Sequence, residues 1–121
     1  MSSPTQKTGH SAEEVAEYYL EQQGLTPIER NVYFKTGEID LVMRDKATLV
    51  FVEVRFRKNS YFGSPAETVT RSKQEKLIRT ALLYCQKNKI DTPWRIDVVA
   101  IAHNPRKTAP EINWIPSAIT A

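Results

Sequence analysis

The chain has 121 residues, a formal net charge of +3 at pH 7 and one cysteine, Cys85. This length accommodates one domain with its own core and is too short for two. A single cysteine excludes an intramolecular disulfide, and no apolar run reaches the length of a membrane-spanning helix. The polar N-terminal residues lack a signal-peptide core, so we expect a cytoplasmic protein with no membrane partner. The mild positive charge permits an anionic partner without requiring one.

The first predicted element is a helix. Residues 1–8 are expected to form a flexible tail, and residues 9–121 a single domain. Ser11 and Glu14 have the spacing of a capping box, which marks the start of a helix. A strand over Thr26–Phe34 follows. The apolar residues at helical spacing predict the buried face of the helix: Ala12, Val15, Ala16, Tyr19 and Leu20.

Two acidic residues lie within the apolar strands of the hairpin predicted next, over residues 38–57. A polar turn at Lys46–Ala47 would place Asp40 opposite Glu53. Like charges that face each other on adjacent strands repel, and burial strengthens that repulsion. A divalent cation would remove this cost. The hairpin therefore predicts a metal site.

Strict alternation divides the hairpin into two faces. One face is almost entirely apolar and is predicted to consist of Ile39, Leu41, Met43, Val50, Val52, Val54 and Phe56. The other face carries the two acids together with Val42 and Phe51, which favours a sheet covered by helices on both sides. The alternative is a solvated hairpin face with ordinary scattered charge.

The second half of the chain predicts a helix and two strands. Thr70 would cap a helix over 70–87, and a buried strand is expected over 94–102. An edge strand over 111–115 would end at Pro116. The resulting order, α-β-β-β-α-β-β, indicates an α/β sheet flanked by helices, with a parallel crossover through the second helix. The inward-facing residues expected on that helix are Leu77, Ile78, Ala81, Leu82 and Cys85.

The acid pair has the chemistry of a site for Mg²⁺ or Mn²⁺, which prefer oxygen ligands. Asp40, Glu53 and the main-chain carbonyl of Val54 could supply three. Arg55 projects from the same strand face as Glu53, about 7 Å further along. Because its guanidinium stays protonated, Arg55 cannot act as a base, but it can hold a phosphate or stabilise a transition state.

The two hairpin motifs, Gly37-Glu38-Ile39-Asp40-Leu41 and Val52-Glu53-Val54-Arg55, resemble the core of PD-(D/E)XK nucleases. More narrowly, the chain resembles the uncharacterised bacterial YraN-type family, which is related to archaeal Holliday junction resolvases. The resemblance runs from about Gly9 to Val99. Its further motifs are the spaced Gly9, Ala12, Glu13, Ala16, Tyr19 and Leu20, then Phe62-Gly63, Val69-Thr70 with Lys73-Gln74, and Arg95-Ile96-Asp97-Val98-Val99.

This resemblance implies a restriction-endonuclease-like mixed β-sheet flanked by helices and a metal-dependent nuclease acting on DNA, including branched, single-stranded or repair substrates. Asp40 and Glu53 become the metal ligands, and Glu13 matches an acid of the first helix that joins the metal. Arg55 stands in the position of the catalytic lysine, which is the chief departure from the nuclease signature. Because lysine and arginine are not interchangeable there, a catalytically inactive nucleic-acid-binding protein is the alternative.

Several residues near the motifs have two interpretations. Glu13 is either a metal ligand or a first-turn acid favoured by the helix dipole. Glu38 would face Arg55, either holding it in position or forming an ordinary cross-strand ion pair. Gln74 is a further catalytic candidate on the first turns of the second helix. Lys73 beside it could bind a phosphate or simply be an exposed surface residue.

The loop after the hairpin mixes cations with aromatic rings, a combination that suits nucleic acid. Arg57, Lys58 and Tyr61 are the contact candidates, while Phe56 is expected in the core by alternation. Asp97 interrupts a buried strand, and we expect a structural salt bridge with Arg95.

Three function classes remain open from the sequence: a nuclease, a nucleic-acid binder without turnover, and a protein-interaction module in DNA repair or uptake. The last would leave the acid pair unexplained. A homodimer is a further expectation, because junction nucleases often work as two-fold dimers.

Overall fold

A computed structural model describes residues 11–57, 69–103 and 105–120 of the chain. The elements follow the predicted order, α-β-β-β-α-β-β. They are α1 (Ala12–Gln22), β1 (Thr26–Phe34), β2 (Gly37–Asp45), β3 (Thr48–Arg57), α2 (Arg71–Lys87), β4 (Trp94–Ala102) and β5 (Glu111–Ile119). The predicted tail (1–8), Lys58 and Tyr61 lie outside the described residues.

The five strands form one mixed sheet in the order β1-β2-β3-β4-β5. Neighbouring strands are antiparallel except β3 and β4, which run parallel because α2 connects them. This is the predicted crossover. The sheet therefore places β3, which carries Glu53, between the acidic strand β2 and the buried strand β4.

Both helices begin as the sequence predicts. The Ser11 hydroxyl accepts the Glu14 N–H at 3.2 Å, and the Glu14 carboxylate accepts the Ser11 N–H at 3.1 Å. Thr70 caps α2 by accepting the N–H of Lys73 at 3.1 Å. The reciprocal pair at α1 and the single bond at α2 satisfy amide groups that a helix leaves without partners at its start. They also fix the residue at which each helix begins.

The core consists of two clusters of buried side chains, one against each helix. Ala16 and Leu20 of α1 pack with one set of strand residues: Leu41, Met43, Val50, Val52, Val99 and Ile101. Leu77, Ala81 and Tyr84 of α2 pack with the other: Ile39, Val42, Leu49, Phe51, Ile96 and Val98. The sheet is thus buried on both sides, which rules out the solvated hairpin face.

Two residues of the hairpin depart from the predicted faces. Ile39 belongs to the cluster of Val42 rather than to that of Leu41, and this departure coincides with the end of the β2–β3 pairing at Leu41. Phe56 was expected in the core but is 59% exposed. Alternation assigns a residue to a face without ensuring that the face is covered, and burial falls off along β3 from Val52 to Phe56.

One prediction for α2 is also wrong. Leu82 is 51% exposed, whereas Thr80 and Tyr84 are buried. The inward stripe of α2 is centred on the row of Leu77, Ala81 and Tyr84, and Leu82 lies outside this row. A hydroxyl can take a buried position here because the Thr80 Oγ1 atom lies 2.6 Å from Thr36 Oγ1, at hydrogen-bond distance.

The prediction that the last strand ends at Pro116 is wrong, because the strand continues to Ile119. Pro116 is tolerated because β5 is an edge strand and the pairing with β4 is irregular at this point. The following residue, Ser117, has a φ of 51° and donates its N–H to Asp97 Oδ1 at 2.9 Å. The side chain of Asp97 thus replaces a regular ladder bond.

Asp97 is fully buried and has the structural role that the sequence predicts. Arg95 Nε lies 3.0 Å from Asp97 Oδ1, and Trp114 donates its indole N–H to Asp97 Oδ2 at 2.9 Å. Arg95 also contacts Asp45 at 3.2 Å. This network joins β4 to the end of β2 and to β5.

No helix in the described part of the chain is long and apolar enough to cross a membrane.

Candidate active site

Asp40 stands where the pairing of β2 with β3 stops. Leu41 faces Val52, which is the predicted register, and the pairing ends there. The next hydrogen bond is made by a side chain, because the Val54 N–H donates to Asp40 Oδ2 at 2.8 Å. The Asp40 carboxyl is therefore held against β3, where Glu53 precedes Val54. Fixing a carboxylate on a backbone amide gives it a defined orientation, as a ligand or catalytic group requires.

Glu53 is the buried partner in this pair. Its side chain is only 4% exposed, and two cations from different elements meet its Oε2 atom. Arg55 Nη1, on the same strand, lies 3.5 Å away, and Lys73 Nζ, on the first turns of α2, lies 3.7 Å away. Both distances are those of ion pairs. The sheet and α2 thus contribute jointly to one site.

Burial dominates the protonation of both acids. It raises the pKa of Asp40 to about 7, with added repulsion from Glu53, Glu38 and Glu13, while the hydrogen bond from Val54 opposes the rise. Burial also raises the pKa of Glu53, against the lowering effect of its neighbouring cations and of a hydrogen bond with Asp40. Both carboxyl groups therefore keep a proton to a higher pH than a solvent-exposed acid would.

The other two predicted acids lie close enough to act on Asp40. Glu13, on the first turn of α1, and Glu38, at the start of β2, both raise the pKa of Asp40 by charge repulsion. Glu38 also accepts a hydrogen bond from Tyr33, whose pKa is raised. We call these four acids, contributed by α1, β2 and β3, the acid cluster, because the other three all raise the pKa of Asp40.

The side chain of Gln74 forms a hydrogen bond at the N-terminal end of its own helix. Its side-chain amide donates to the carbonyl of Val69 at 2.8 Å. This bond ties the residues before α2 to its first turn, from which Lys73 extends to Glu53. Arg57 lies at the end of β3, where its carbonyl accepts the N–H of His103 at 3.0 Å. Of the four predicted nucleic-acid contacts, Arg57 and Lys73 are therefore located, and Lys73 lies in the site itself.

The donor set suits a hard cation that keeps much of its water. Within residues 11–57, 69–103 and 105–120, no group of three or more His, Cys, Asp or Glu side chains is arranged to hold a metal ion. Asp40 and Glu53 offer two carboxyl groups, and the carbonyl of Val54 is a third oxygen. Mg²⁺ is commonly bound through one or two carboxylates plus waters and substrate phosphates, so these residues fit it.

The family model for "Uncharacterised protein family UPF0102" matches residues 12–101, about three quarters of the chain. The chain belongs to this family. The family membership predicted from the ordered set of motifs between Gly9 and Val99 is therefore confirmed. The matched region also contains the elements that carry the acid cluster.

Relatives with the UPF0102 name align along most of the chain. The UPF0102 protein of Saccharophagus degradans is 50% identical over 116 residues, covering 94% of this chain and 93% of its own length. The UPF0102 protein of Aliivibrio fischeri strain MJ11 is 54% identical over 114 residues, covering 92% and 89%. That of Photobacterium profundum is 53% identical over 96 residues, covering 77% of each chain.

Sequence reasoning missed part of the charged surface of this UPF0102 protein. Lys35, Lys76 and Arg79 line a cleft beside Glu38 and Lys73. The spacing of Lys73, Lys76 and Arg79 could have predicted this cationic surface. They follow one another at intervals of three residues, and residues at that spacing lie on the same side of a helix. Lys35 carried no comparable signal, since only tertiary packing brings its turn to α2.

Proposed function

We propose that this UPF0102 protein is a divalent-cation-dependent hydrolase of phosphodiester bonds in DNA, with a restriction-endonuclease-like site. Branched, single-stranded or repair intermediates are the proposed substrates. The observation that carries the proposal is the acid pair, in which Glu53 is buried and Asp40 half-buried, with Arg55 and Lys73 directed at Glu53. Burying two neighbouring carboxyl groups costs free energy, and such perturbed acids are typical of catalytic sites.

Asp40, Glu53 and the Val54 carbonyl are the proposed ligands for Mg²⁺ or Mn²⁺, with Glu13 as a further carboxylate beside them. When bound, the cation lowers the pKa of a water molecule and neutralises charge on the phosphoryl oxygens. Asp40 enters this role already oriented by the Val54 N–H. Glu53 would be the second carboxylate ligand, and its ion pairs with Arg55 and Lys73 both involve the Oε2 atom.

Arg55 and Lys73 are the proposed phosphate-binding groups. Both side chains are partly exposed, 35% and 46%, while their charged ends approach the buried Glu53. A phosphate entering the site can therefore accept hydrogen bonds from both. On β3, Arg55 stands where the nuclease signature has a lysine. Lys73 brings an ammonium group to this site from α2, and an ammonium group can exchange a proton whereas a guanidinium cannot. Gln74 acts as a positioning residue by holding the first turn of α2.

Nucleic-acid contacts extend from the end of β3. Phe56 lies between Arg55 and Arg57 in the chain but projects from the other face of β3. Its ring is largely exposed, which suits stacking on an unpaired base. Arg57 would contact a neighbouring phosphate. Lys58 and Tyr61 follow directly in the chain, and their contacts with DNA stay predictions.

A binder without turnover is the second candidate, and one observation favours it. The charge of Glu53 is already compensated by Arg55 and Lys73, and the pKa of about 7 lets Asp40 carry a proton. The acid pair is therefore stable without a metal ion. In this case, Arg55 and Lys73 would bind phosphate, and Asp40 and Glu53 would only shape the site.

One cleavage experiment separates the two candidates. Purified protein is incubated with flap, four-way-junction and single-stranded DNA in Mn²⁺ or Mg²⁺, alongside Asp40→Asn, Glu53→Gln and the exposed-loop control Asp91→Asn. The hydrolase proposal expects cleavage by the wild type and the control, and a loss of at least about 100-fold in the two site variants. Binding without cleavage in every sample supports the binder instead.

A two-fold dimer would present two such sites to a branched junction. Light scattering of the protein with and without a four-way junction measures whether two copies assemble.

A further inference from the structure

We propose that the cleft lined by Lys35, Lys76 and Arg79 binds the phosphate backbone of the DNA strand that leads into the acid cluster. We call it the cationic cleft. It lies between the β1–β2 turn and α2 and has a volume of about 540 Å³. The inference rests on the proposed function, because it assigns the path of that function's substrate.

The charged lining of the cleft is mainly cationic. Lys35, Lys73, Lys76 and Arg79 line it, against a single acid, Glu38. Lys35, Lys76 and Arg79 are exposed, and none of the three forms an ion pair with a carboxylate of the described residues. Arg30, by contrast, is paired with Glu17 at 2.9 Å. Cations left without acidic partners in a concave surface attract a polyanion.

The shape of the cleft is preorganised. Thr36, in the turn, and Thr80, on α2, are joined through their hydroxyls at 2.6 Å, and Thr80 is completely buried. Gly37 follows the turn with a φ of 151°, a backbone conformation that favours glycine. The turn that carries Lys35 is therefore fixed against α2. A rigid cleft binds with a smaller loss of conformational entropy than a mobile one.

The spacing of the cations matches a strand rather than an isolated anion. Lys73, Lys76 and Arg79 advance along α2 by 1.5 Å per residue, so their row spans about 9 Å. Successive phosphates of one DNA strand rise by about 3.4 Å along a duplex, and the row would therefore contact two or three of them. A single phosphate ion would use only one end of this row.

The cleft is continuous with the site. Lys73 lines it and also lies 3.7 Å from Glu53 Oε2, while Glu38 lines it and precedes Asp40 by two residues on β2. A strand held by Arg79 and Lys76 would thus reach the acid pair at Lys73. We infer that the cationic cleft aligns the DNA next to the bond to be cut.

The test measures DNA affinity in EDTA, so that no cleavage occurs. Fluorescence anisotropy with a labelled single strand and a labelled four-way junction compares the wild type with the triple variant Lys35→Gln, Lys76→Gln, Arg79→Gln. Glutamine keeps the helix propensity and the side-chain length. The matched control is Lys46→Gln with Lys89→Gln, which removes two exposed cations outside the cleft. Thermal melting checks that every variant is folded.

We expect the cleft variant to bind at least about 10-fold more weakly at 0.1 M salt, and its slope of log K against log salt to fall by about 2. The control should change much less per charge removed. An equal loss of affinity per charge removed in the two variants would overturn the inference, because it would reflect net charge alone. Competition by inorganic phosphate at the same phosphate concentration as DNA would also overturn it, since it would indicate an isolated anion site.

The two proposals fail separately. If the wild type cuts DNA and the cleft variant binds and cuts equally well, the cleft inference is wrong and the hydrolase stands. If the cleft variant loses affinity but the wild type never cuts in Mn²⁺, the cleft stands and the hydrolase is wrong.

Discussion

The carboxyl group of Asp40 accepts the main-chain N–H of Val54 at 2.8 Å, and so takes the place of a ladder bond where β2 and β3 stop pairing. Asp40 thus has a structural contact as well as a proposed ligand role. The two can be separated because asparagine retains an oxygen acceptor and alanine does not.

We expect Asp40→Ala to be less stable than Asp40→Asn by about 1–3 kcal/mol, because alanine leaves the Val54 N–H without its acceptor. Both variants should lose cleavage. Urea unfolding at pH 8 measures the difference in free energy of unfolding. Equal stability of the two variants would show that water satisfies the Val54 amide and that the hydrogen bond contributes little.

The raised pKa of Asp40 makes stability depend on pH. Between the ordinary value of 3.8 and about 7, the folded protein binds a proton that the unfolded chain has released. Stability should therefore fall as pH rises through this window, by about 2 kcal/mol between pH 5 and pH 8. Asp40→Asn should flatten the profile, and thermal melting across this range measures it. The same dependence of stability on pH in the wild type and in Asp40→Asn would contradict the prediction.

A divalent cation should stabilise the protein through the same acids. At ten times its dissociation constant, Mn²⁺ should add about 1.4 kcal/mol at pH 8, or roughly 5–6 °C in Tm. The shift should shrink at pH 5, where Asp40 holds its proton. It should disappear in Glu53→Gln and persist in Asp91→Asn. An unchanged shift in Glu53→Gln would place the metal elsewhere.

Lys73 should matter for turnover more than its exposed position on α2 indicates. Lys73→Gln removes one of the two cations at Glu53, and we expect cleavage to fall by about 10- to 100-fold. Stability should fall by no more than about 1 kcal/mol, because the side chain is half exposed. Single-turnover cleavage is compared with that of Lys89→Gln, two residues beyond the C-terminal end of α2. Full activity of Lys73→Gln would exclude Lys73 from the site.

Asp97 offers a contrasting case, an acid whose role is structural. Asp97→Ala leaves Arg95, the Trp114 indole N–H and the Ser117 N–H without their shared acceptor. Breaking a buried, hydrogen-bonded charge network of this kind costs about 3–5 kcal/mol. Urea unfolding should show this loss in free energy of unfolding. A cost below 1 kcal/mol would mean that water replaces the carboxylate.

Local sequence patterns predicted most of the fold and, within the candidate site, the hairpin that carries Asp40 and Glu53. The hairpin register follows from the short turn and from alternation, which together determine the partner of each strand residue. The capping residues Ser11 and Thr70 are local signals as well. Alternation failed at Phe56, and helical periodicity failed at Leu82, because exposure depends on which other elements cover a face.

The sequence by itself determined the element order, the hairpin that carries Asp40 and Glu53, and the structural pairing of Arg95 with Asp97, since each depends on residues close in the chain or on adjacent strands. Only the tertiary structure decided that Lys73 reaches Glu53, that the Asp40 carboxyl replaces a ladder bond at Val54, and that Lys35 meets α2 across a cleft. These contacts join residues from different elements. Their distances depend on how the helix packs on the sheet, and no spacing along the chain encodes that packing.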